Sequence, residues 1–94
     1  MGRKVERVKE QISDKLQLPR DIVMDLPKII IIGDSEISVE NHKGVISFQT
    51  EILKVNSKVG AIVIQGSNLE ILFIGGNTIT VGGKFKSIQY EELI

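Results

Sequence analysis

The chain contains no cysteine and no tryptophan, and it has one tyrosine, two prolines and one histidine. Without cysteine it has no disulfide, no thiolate nucleophile and no cysteine-based metal site. Its longest apolar runs, such as Ile29–Ile32, have the length of a strand and fall far short of the ~20 residues of a membrane-spanning helix. No apolar segment follows the basic N-terminus, so the sequence predicts no signal peptide. We therefore expect a cytoplasmic protein that does not insert into a membrane.

The composition predicts one small globular domain spanning residues 1–94. The chain has 94 residues, of which 41% are hydrophobic and 26% charged, and its net charge is zero. This length is too short for two hydrophobic cores, and the high hydrophobicity argues against disorder. The charge is unevenly distributed, because residues 1–20 carry six basic and three acidic side chains, a net charge of +3.

Residues 1–18 predict a basic amphipathic helix. Val5, Val8, Ile12 and Leu16 recur at helical spacing and form a narrow apolar stripe. Pro19 ends the helix, because the residue before a proline is disfavoured in the α region. We interpret Val5, Val8 and Ile12 as candidate assembly residues, and we expect Val8→Asp or Ile12→Asp to impair assembly while the core stays folded.

The same helix carries the most distinct electrostatic feature of the chain. Its basic side chains are candidates for contact with an anionic partner, either an acidic protein surface or lipid headgroups at the membrane periphery. A solvated helix face is the simpler alternative. The residues concerned are Arg3, Lys4, Arg7 and Lys9.

Residues 28–90 predict an antiparallel β domain. Segments of about five residues recur every 8–12 residues with glycine-bearing turns between them, a spacing typical of a meander that forms a small sandwich or barrel. The fold class is therefore mainly β with an N-terminal helix and seven or eight short strands. The candidate strands are Lys28–Ile32, Glu36–Glu40, Val45–Gln49, Leu53–Asn56, Ala61–Gln65, Leu69–Ile74, Thr78–Val81 and Phe85–Gln89. The turns predicted among the last four are Gly66-Ser67-Asn68, Gly75-Gly76-Asn77 and Gly82-Gly83.

The segment from Glu36 to Phe48 predicts a β-hairpin. Apolar and polar residues alternate on both sides of a short polar stretch, which places one face of each strand in a core. Asn41 and Gly44 suit the connecting turn, since both tolerate positive φ.

Three candidate strands are apolar on both faces, namely Ile29–Ile32, Ala61–Ile64 and Leu69–Ile74. Such strands need cover on both sides, because burying one Ile or Leu is worth about 1.5–3 kcal/mol. The N-terminal stripe can cover one of them and a second copy of the chain another, although a sandwich core would also explain two of the three. We therefore expect a homo-oligomer that associates through strand edges or two-sided strands.

No constellation of residues predicts catalysis, cofactor binding or a metal site. His42 is the single histidine and lies in a predicted turn, where we expect it to bond nearby backbone. The serines lack a G-x-S-x-G context, and the glycine-rich loops are followed by strands instead of the helix that phosphate binding needs. We expect a protein that is not an enzyme.

An RNA-binding function is the alternative. Ile64–Leu69, with a leading helix and short strands, resembles the second half-motif of Sm-like RNA-binding barrels, and Gly44–Phe48 faintly resembles the first. Gln49 stands where that family has an aspartate, and the strands continue past the point where an Sm barrel closes. The basic segment also lacks the aromatic residues that single-stranded nucleic acid stacks upon, so nucleic acid is not the expected partner.

A set of short motifs gives the whole chain a more specific resemblance. The E-N-H-K-G turn (Asn41, His42, Lys43 and Gly44 with the preceding glutamate) and the I-x-G-x-N-L turn (with Gly66 and Asn68) occur in order at a set separation. They are accompanied by Leu18–Val23, Asp25–Pro27, Ile32–Gly33, Leu53–Asn56 and Gly83–Tyr90. In these motifs the chain resembles the YabP/YqfC family of bacterial sporulation proteins, and most closely its YqfC branch. Gly75-Gly76-Asn77 departs from the more acidic loop expected there.

The resemblance implies a cellular role but no reaction. It implies endospore formation, in the mother-cell cytoplasm of a sporulating bacterium, and partnership with a membrane-bound sporulation protein. No catalytic residues come with it. The expected function is thus a non-enzymatic structural or adaptor protein that self-assembles and docks to a membrane-associated sporulation partner.

Overall fold

The computed structural model describes residues 24–92, which form one six-stranded antiparallel sheet. Its strands are β1 (Lys28–Ile32), β2 (Glu36–Glu40), β3 (Val45–Gln49), β4 (Ile52–Val55), β5 (Ala61–Gly75) and β6 (Thr78–Glu91). The order across the sheet is β1-β2-β6-β5-β4-β3, so the sheet is open, with β1 and β3 at its edges. The part of the chain that is described has no helix long and apolar enough to cross a membrane. The predicted helix 1–18 lies outside the described residues.

The mainly β, antiparallel class is confirmed. The described residues form six strands where seven or eight were predicted, and their sheet is not closed as a barrel. The prediction divided the second half of the chain into too many strands. β5 has 15 residues and β6 has 14, and each unites two of the predicted short strands. The predicted turn at residues 75–77 is present, and Gly76 takes the positive φ of 57° that suits a two-residue hairpin loop. The turns predicted at residues 66–68 and 82–83 are wrong, because the chain continues through both as strand.

These two places are irregularities within the β5–β6 pair. The register between the strands shifts between Gln65 and Gly66, and again between Ser67 and Glu70. Asn68 has a φ of 54° and Gly83 a φ of 138°, as extra residues in bulges often do. A bulge bends its strand and increases the twist, so the long hairpin can curve without losing its pairing.

The backbones approach closely at the bend. A Cβ atom on Gly66 would overlap the carbonyl oxygen of Lys84, and one on Gly83 would lie 2.8 Å from the carbonyl oxygen of Asn68. Each bend also binds the tip of a shorter hairpin. Leu69 N donates to Thr50 O at 2.8 Å, and Phe85 N donates to Asp34 O at 3.1 Å.

The bend lets one sheet build a core between its own two halves. The first half consists of β1 and β2 with the adjoining ends of β6 and β5, and the second consists of β3 and β4 with the other ends. β6 and β5 separate β2 from β4 in the sheet, so their side chains meet only because the sheet folds over. The buried cluster is Ile37, Val39, Leu53, Val55, Ile62, Ile64, Leu69, Ile79 and Val81.

The predicted hairpin between Glu36 and Phe48 is wrong. β2 pairs with β1 and β6, whereas β3 pairs with β4. Both sides of β2 are therefore occupied, and the residues that follow it cross to the other half of the sheet. The alternation of apolar residues was a correct signal for the two strands, but it carries no information about their pairing.

The three strands with two apolar faces have different environments. Ala61, Ile62, Val63 and Ile64 are all buried within the described residues, so the start of β5 needs no second subunit. Ile30–Ile32 in β1 and Leu72–Ile74 at the end of β5 are exposed.

We predict that Gly66→Ala lowers the free energy of unfolding by about 3 kcal/mol, because the added methyl group meets rigid backbone. The matched control is Gly76→Ala, which has open space around it and should lose only about 1 kcal/mol for its left-handed backbone. Urea denaturation of both variants measures the difference. Equal losses of unfolding free energy would show that the backbones of β5 and β6 leave room for a methyl group at Gly66.

Candidate functional site

A polar cluster forms where the chain leaves β2, and we call Asp25, Asn41, Lys43 and Asn77 the Asn41 cluster. Asn41 Nδ2 donates to Asp25 Oδ1 at 3.1 Å and to the carbonyl oxygen of Leu26 at 3.0 Å. Lys43 Nζ forms an ion pair with Asp25 Oδ1 at 3.0 Å. Asn77 Nδ2 donates to Asn41 Oδ1 at 3.3 Å, which ties the β5–β6 loop to the cluster.

Electrostatics and backbone geometry both fix this arrangement. Hydrogen bonds from Lys43 and then Asn41 lower the pKa of Asp25 below its usual 3.8, so the carboxylate is charged at neutral pH. Asp25 and Asn41 both have positive φ, 59° and 65°. Asn and Asp tolerate this conformation better than other residues with a Cβ. The cluster thus needs Asp or Asn at positions 25 and 41, both for their side-chain hydrogen bonds and for their tolerance of positive φ.

Backbone hydrogen bonds hold the crossing segment to both halves of the sheet. His42 N donates to Asn77 O at 3.1 Å. Lys43 N donates to Asn56 O, and Asn56 N donates to Gly44 O, both at 2.8 Å. The E-N-H-K-G segment therefore closes one end of the folded sheet, which is a structural role.

His42 is buried inside this connection. Its Nδ1 accepts a hydrogen bond from Gly44 N at 2.9 Å, which assigns the proton of the neutral ring to Nε2. Nε2 is buried and has no partner among the described residues. Burial lowers the pKa of His42 below its usual 6.5, because a charged ring would lose its hydration.

The other predicted site residues lie elsewhere. Gly66 and Asn68 belong to the bulge in β5, so the two signature segments form two separate features: a closed end and a bend. Arg3, Lys4, Arg7 and Lys9, together with Val5, Val8 and Ile12, lie outside the described residues.

Where polar side chains of residues 24–92 lie close together, they form hydrogen bonds that stabilise the fold. No three acidic or histidine side chains in this part of the chain gather as a metal site would require. An open hollow is lined by Ser57–Gly60 and Glu92. Ser57 Oγ donates there to Gly60 O at 2.7 Å and accepts from Val59 N at 3.2 Å, so this hydroxyl stabilises its own turn.

The two edges of the sheet differ in their capacity to pair with another strand. β1 keeps an uninterrupted register with β2 over all five residues, and Ile30, Ile31 and Ile32 are 36%, 51% and 58% exposed. β3 is also exposed, but its register shifts between Val45 and Ser47. Bulges on an edge strand hinder further pairing. The sequence does not identify β1 and β3 as the edges, because the apolar content of a strand does not reveal its place in the strand order.

Comparison with known proteins decides the family. The sequence profile of the YabP family matches residues 25–93. The chain belongs to the YabP family. It is also 33% identical over 92 residues to the uncharacterized protein YqfC of Bacillus subtilis (strain 168), an alignment that covers 98% of this chain and 99% of that protein. The resemblance inferred from the short motifs is thereby confirmed. No solved structure matches the chain.

The part matched to the YabP family contains all six strands, both bends and the complete Asn41 cluster. Asp25, the first residue of the match, is the residue that the Asn41 and Lys43 side chains bind. The YabP-family segment is therefore the folded sheet together with the polar cluster that closes its end.

We predict that stability falls as pH drops below about 6.5, because the unfolded chain binds a proton at His42 more readily than the folded chain does. The stabilising effect of the neutral ring is complete above that pH and is lost as pH approaches the lower folded pKa. His42→Asn removes the titration and keeps an acceptor two residues before Gly44. Urea midpoints between pH 8 and pH 5 should therefore fall less in the variant, and parallel pH profiles would contradict the assignment.

Proposed function

We propose that this chain is a non-enzymatic structural or adaptor protein of endospore formation, which assembles with copies of itself and docks to a membrane-associated partner in the mother cell. The resemblance to sporulation proteins supports the cellular process. The state of His42 supports a non-enzymatic role, since its ring is buried and its Nδ1 is held by Gly44. A buried imidazole with an occupied acceptor has no access to a substrate.

The β1 edge is the single observation that carries the assembly part of the proposal. An edge strand presents unpaired N–H and C=O groups, and soluble proteins usually protect it with charges, proline or a bulge. β1 has no bulge, and its only charge is Lys28 at one end. Consecutive exposed isoleucines on such an edge favour pairing with a strand of another chain.

The docking part of the proposal depends on the basic side chains near the N-terminus. The cytoplasmic surface of a membrane and the proteins attached to it are often anionic, and each basic residue close to such a surface contributes about 1 kcal/mol of attraction. Four of them within seven residues are enough for a reversible contact but not for insertion. These residues are Arg3, Lys4, Arg7 and Lys9.

We predict that Ile31→Lys abolishes self-association, because a charge on the β1 edge opposes strand pairing. The side chain is 51% exposed, so the fold should tolerate the change. Ile46→Lys is the matched control, since Ile46 is 46% exposed on the bulged β3 edge and should leave self-association unchanged. Light scattering across a range of concentrations gives the mass of each variant. A monomeric parent chain at high concentration would refute assembly altogether.

We predict that the double charge reversal Arg3→Glu with Arg7→Glu removes the protein from the membrane fraction of sporulating cells. The change replaces attraction to an anionic surface with repulsion. Lys86→Glu, at an exposed position on β6, is the control and should stay membrane-associated. If both variants fractionate like the parent chain, the basic segment does not mediate docking.

A further inference from the structure

One face of the sheet exposes apolar side chains that no described residue covers. In the half that contains β1 and β2, the side chains that alternate with the buried ones point outward. Ile30, Ser38, Thr80 and Phe73 stand in register across β1, β2, β6 and β5. We call this surface the outer face. Its apolar members are Ile30, Ile32, Leu72 and Phe73, which are 36%, 58%, 52% and 56% exposed.

A bulge enlarges the apolar part of the outer face. The register of β5 against β6 shifts between Ile71 and Phe73, which puts two large side chains on one side where simple alternation would put one. A Cβ atom on Gly82 would lie 3.0 Å from Leu72 Cδ1, and one on Gly75 would lie 2.9 Å from the ring of Phe73. Both side chains thus lie flat over glycines on the outer face.

Glutamates surround this apolar surface. Glu36 and Glu40 alternate with Ser38 on β2, and Glu70 pairs with Gly82, which itself pairs with Glu36. None of the three forms an ion pair with another residue between 24 and 92. Lys28 is the basic residue that β1 contributes to the same side. A fitting occupant therefore has an apolar stripe flanked by basic groups.

We propose that residues 1–18 of the same chain dock on the outer face. At the 100° rotation per residue of a helix, Lys4, Lys9 and Lys15 flank the stripe of Val5, Val8, Ile12 and Leu16. The lysines then meet the surrounding glutamates while the stripe covers Ile30, Leu72 and Phe73. Arg3 and Arg7 fall on the opposite side of the helix and stay available to another partner.

The dimensions and the connection both permit this docking. The stripe spans about 16 Å at a rise of 1.5 Å per residue, and the four strands of the outer face span about 14 Å at a spacing of 4.8 Å. The chain enters the sheet at Lys28, which belongs to the outer face itself. The residues just before it are held in place, because Met24 O accepts a hydrogen bond from Lys58 Nζ and Asp25 belongs to the Asn41 cluster. The linker is therefore residues 19–23, which reach about 17 Å when extended and can bring the segment back over the sheet.

A second copy of the chain fits the same surface less well. Two outer faces brought together would place Glu36, Glu40 and Glu70 of both copies in one interface, and like charges across an interface are unfavourable. The docking gives Val5, Val8 and Ile12 a role within the chain in place of the assembly role expected from sequence alone. It leaves the backbone groups of the β1 edge accessible for assembly. It also engages Lys4 and Lys9 within the chain, so that Arg3 and Arg7 are the basic residues of residues 3–9 that remain for the membrane-associated partner.

The test is zero-length carbodiimide coupling of lysine amines to carboxylates in the unmodified full-length chain, with mass spectrometry of the products. We expect links between Lys4, Lys9 or Lys15 and Glu36, Glu40 or Glu70 within one chain. Leu72→Ser with Phe73→Ser removes apolar contact and keeps every charge, so these links should fall about tenfold. Ile46→Ser, at a similarly exposed position on β3, should leave them unchanged.

Mixing isotope-labelled and unlabelled chains before coupling identifies the occupant. Links within single chains that depend on residues 72 and 73 support the proposal. Links that join labelled to unlabelled chains would assign the outer face to a second copy and overturn it. Links that are absent, or that survive the double serine variant, would also overturn it, provided that the urea midpoint shows that variant to be folded.

Discussion

The fold depends on how closely the backbones of β5 and β6 approach at Gly66 and Gly83. At these residues there is no room for a Cβ atom, and the bulges beside them bend two long strands that stay paired. The bend turns a single open sheet into two layers, which is the minimum that a hydrophobic core requires. The other packing follows from it, because β2 and β4 lie on different halves and meet only when the sheet folds over.

Local patterns predicted the bounds of the first three strands but not what those strands pair with. The bounds of β1, β2 and β3 agree residue for residue with those predicted from the sequence. The prediction at Gly66-Ser67-Asn68 was wrong because a glycine followed closely by an asparagine of positive φ occurs both in bulges and in turns. The difference lies in the carbonyl group of Lys84, which lies against Gly66 in space although it is eighteen positions away in the chain. A linear sequence does not show that contact. The same limit explains why Glu36 to Phe48 was predicted as a hairpin.

At the polar end of the sheet, too, the sequence indicated which residues matter but not which residues they contact. Asn41, His42 and Lys43 stand out in the sequence as a turn with an unusual composition, and they lie within the part of the chain that matches the YabP family. Their partners were not visible, since Asp25 lies 16 positions before Asn41 and Asn77 lies 36 positions after it. The burial of His42 was equally hidden, because it arises only when the crossing segment is held against Asn56 and Asn77. Residue types identified the segment, and tertiary contacts determined what it does.

The unequal edges of the sheet also bear on how large an assembly becomes. If β1 pairs antiparallel with β1 of another copy, the contact has two-fold symmetry and occupies the regular edge of the sheet that residues 24–92 form in each molecule. The interrupted edge at β3 then faces outward at both ends. Assembly then stops at a dimer and does not continue into a fibril. A protein with four consecutive isoleucines on an edge strand can thus accumulate in a cell without forming fibrils.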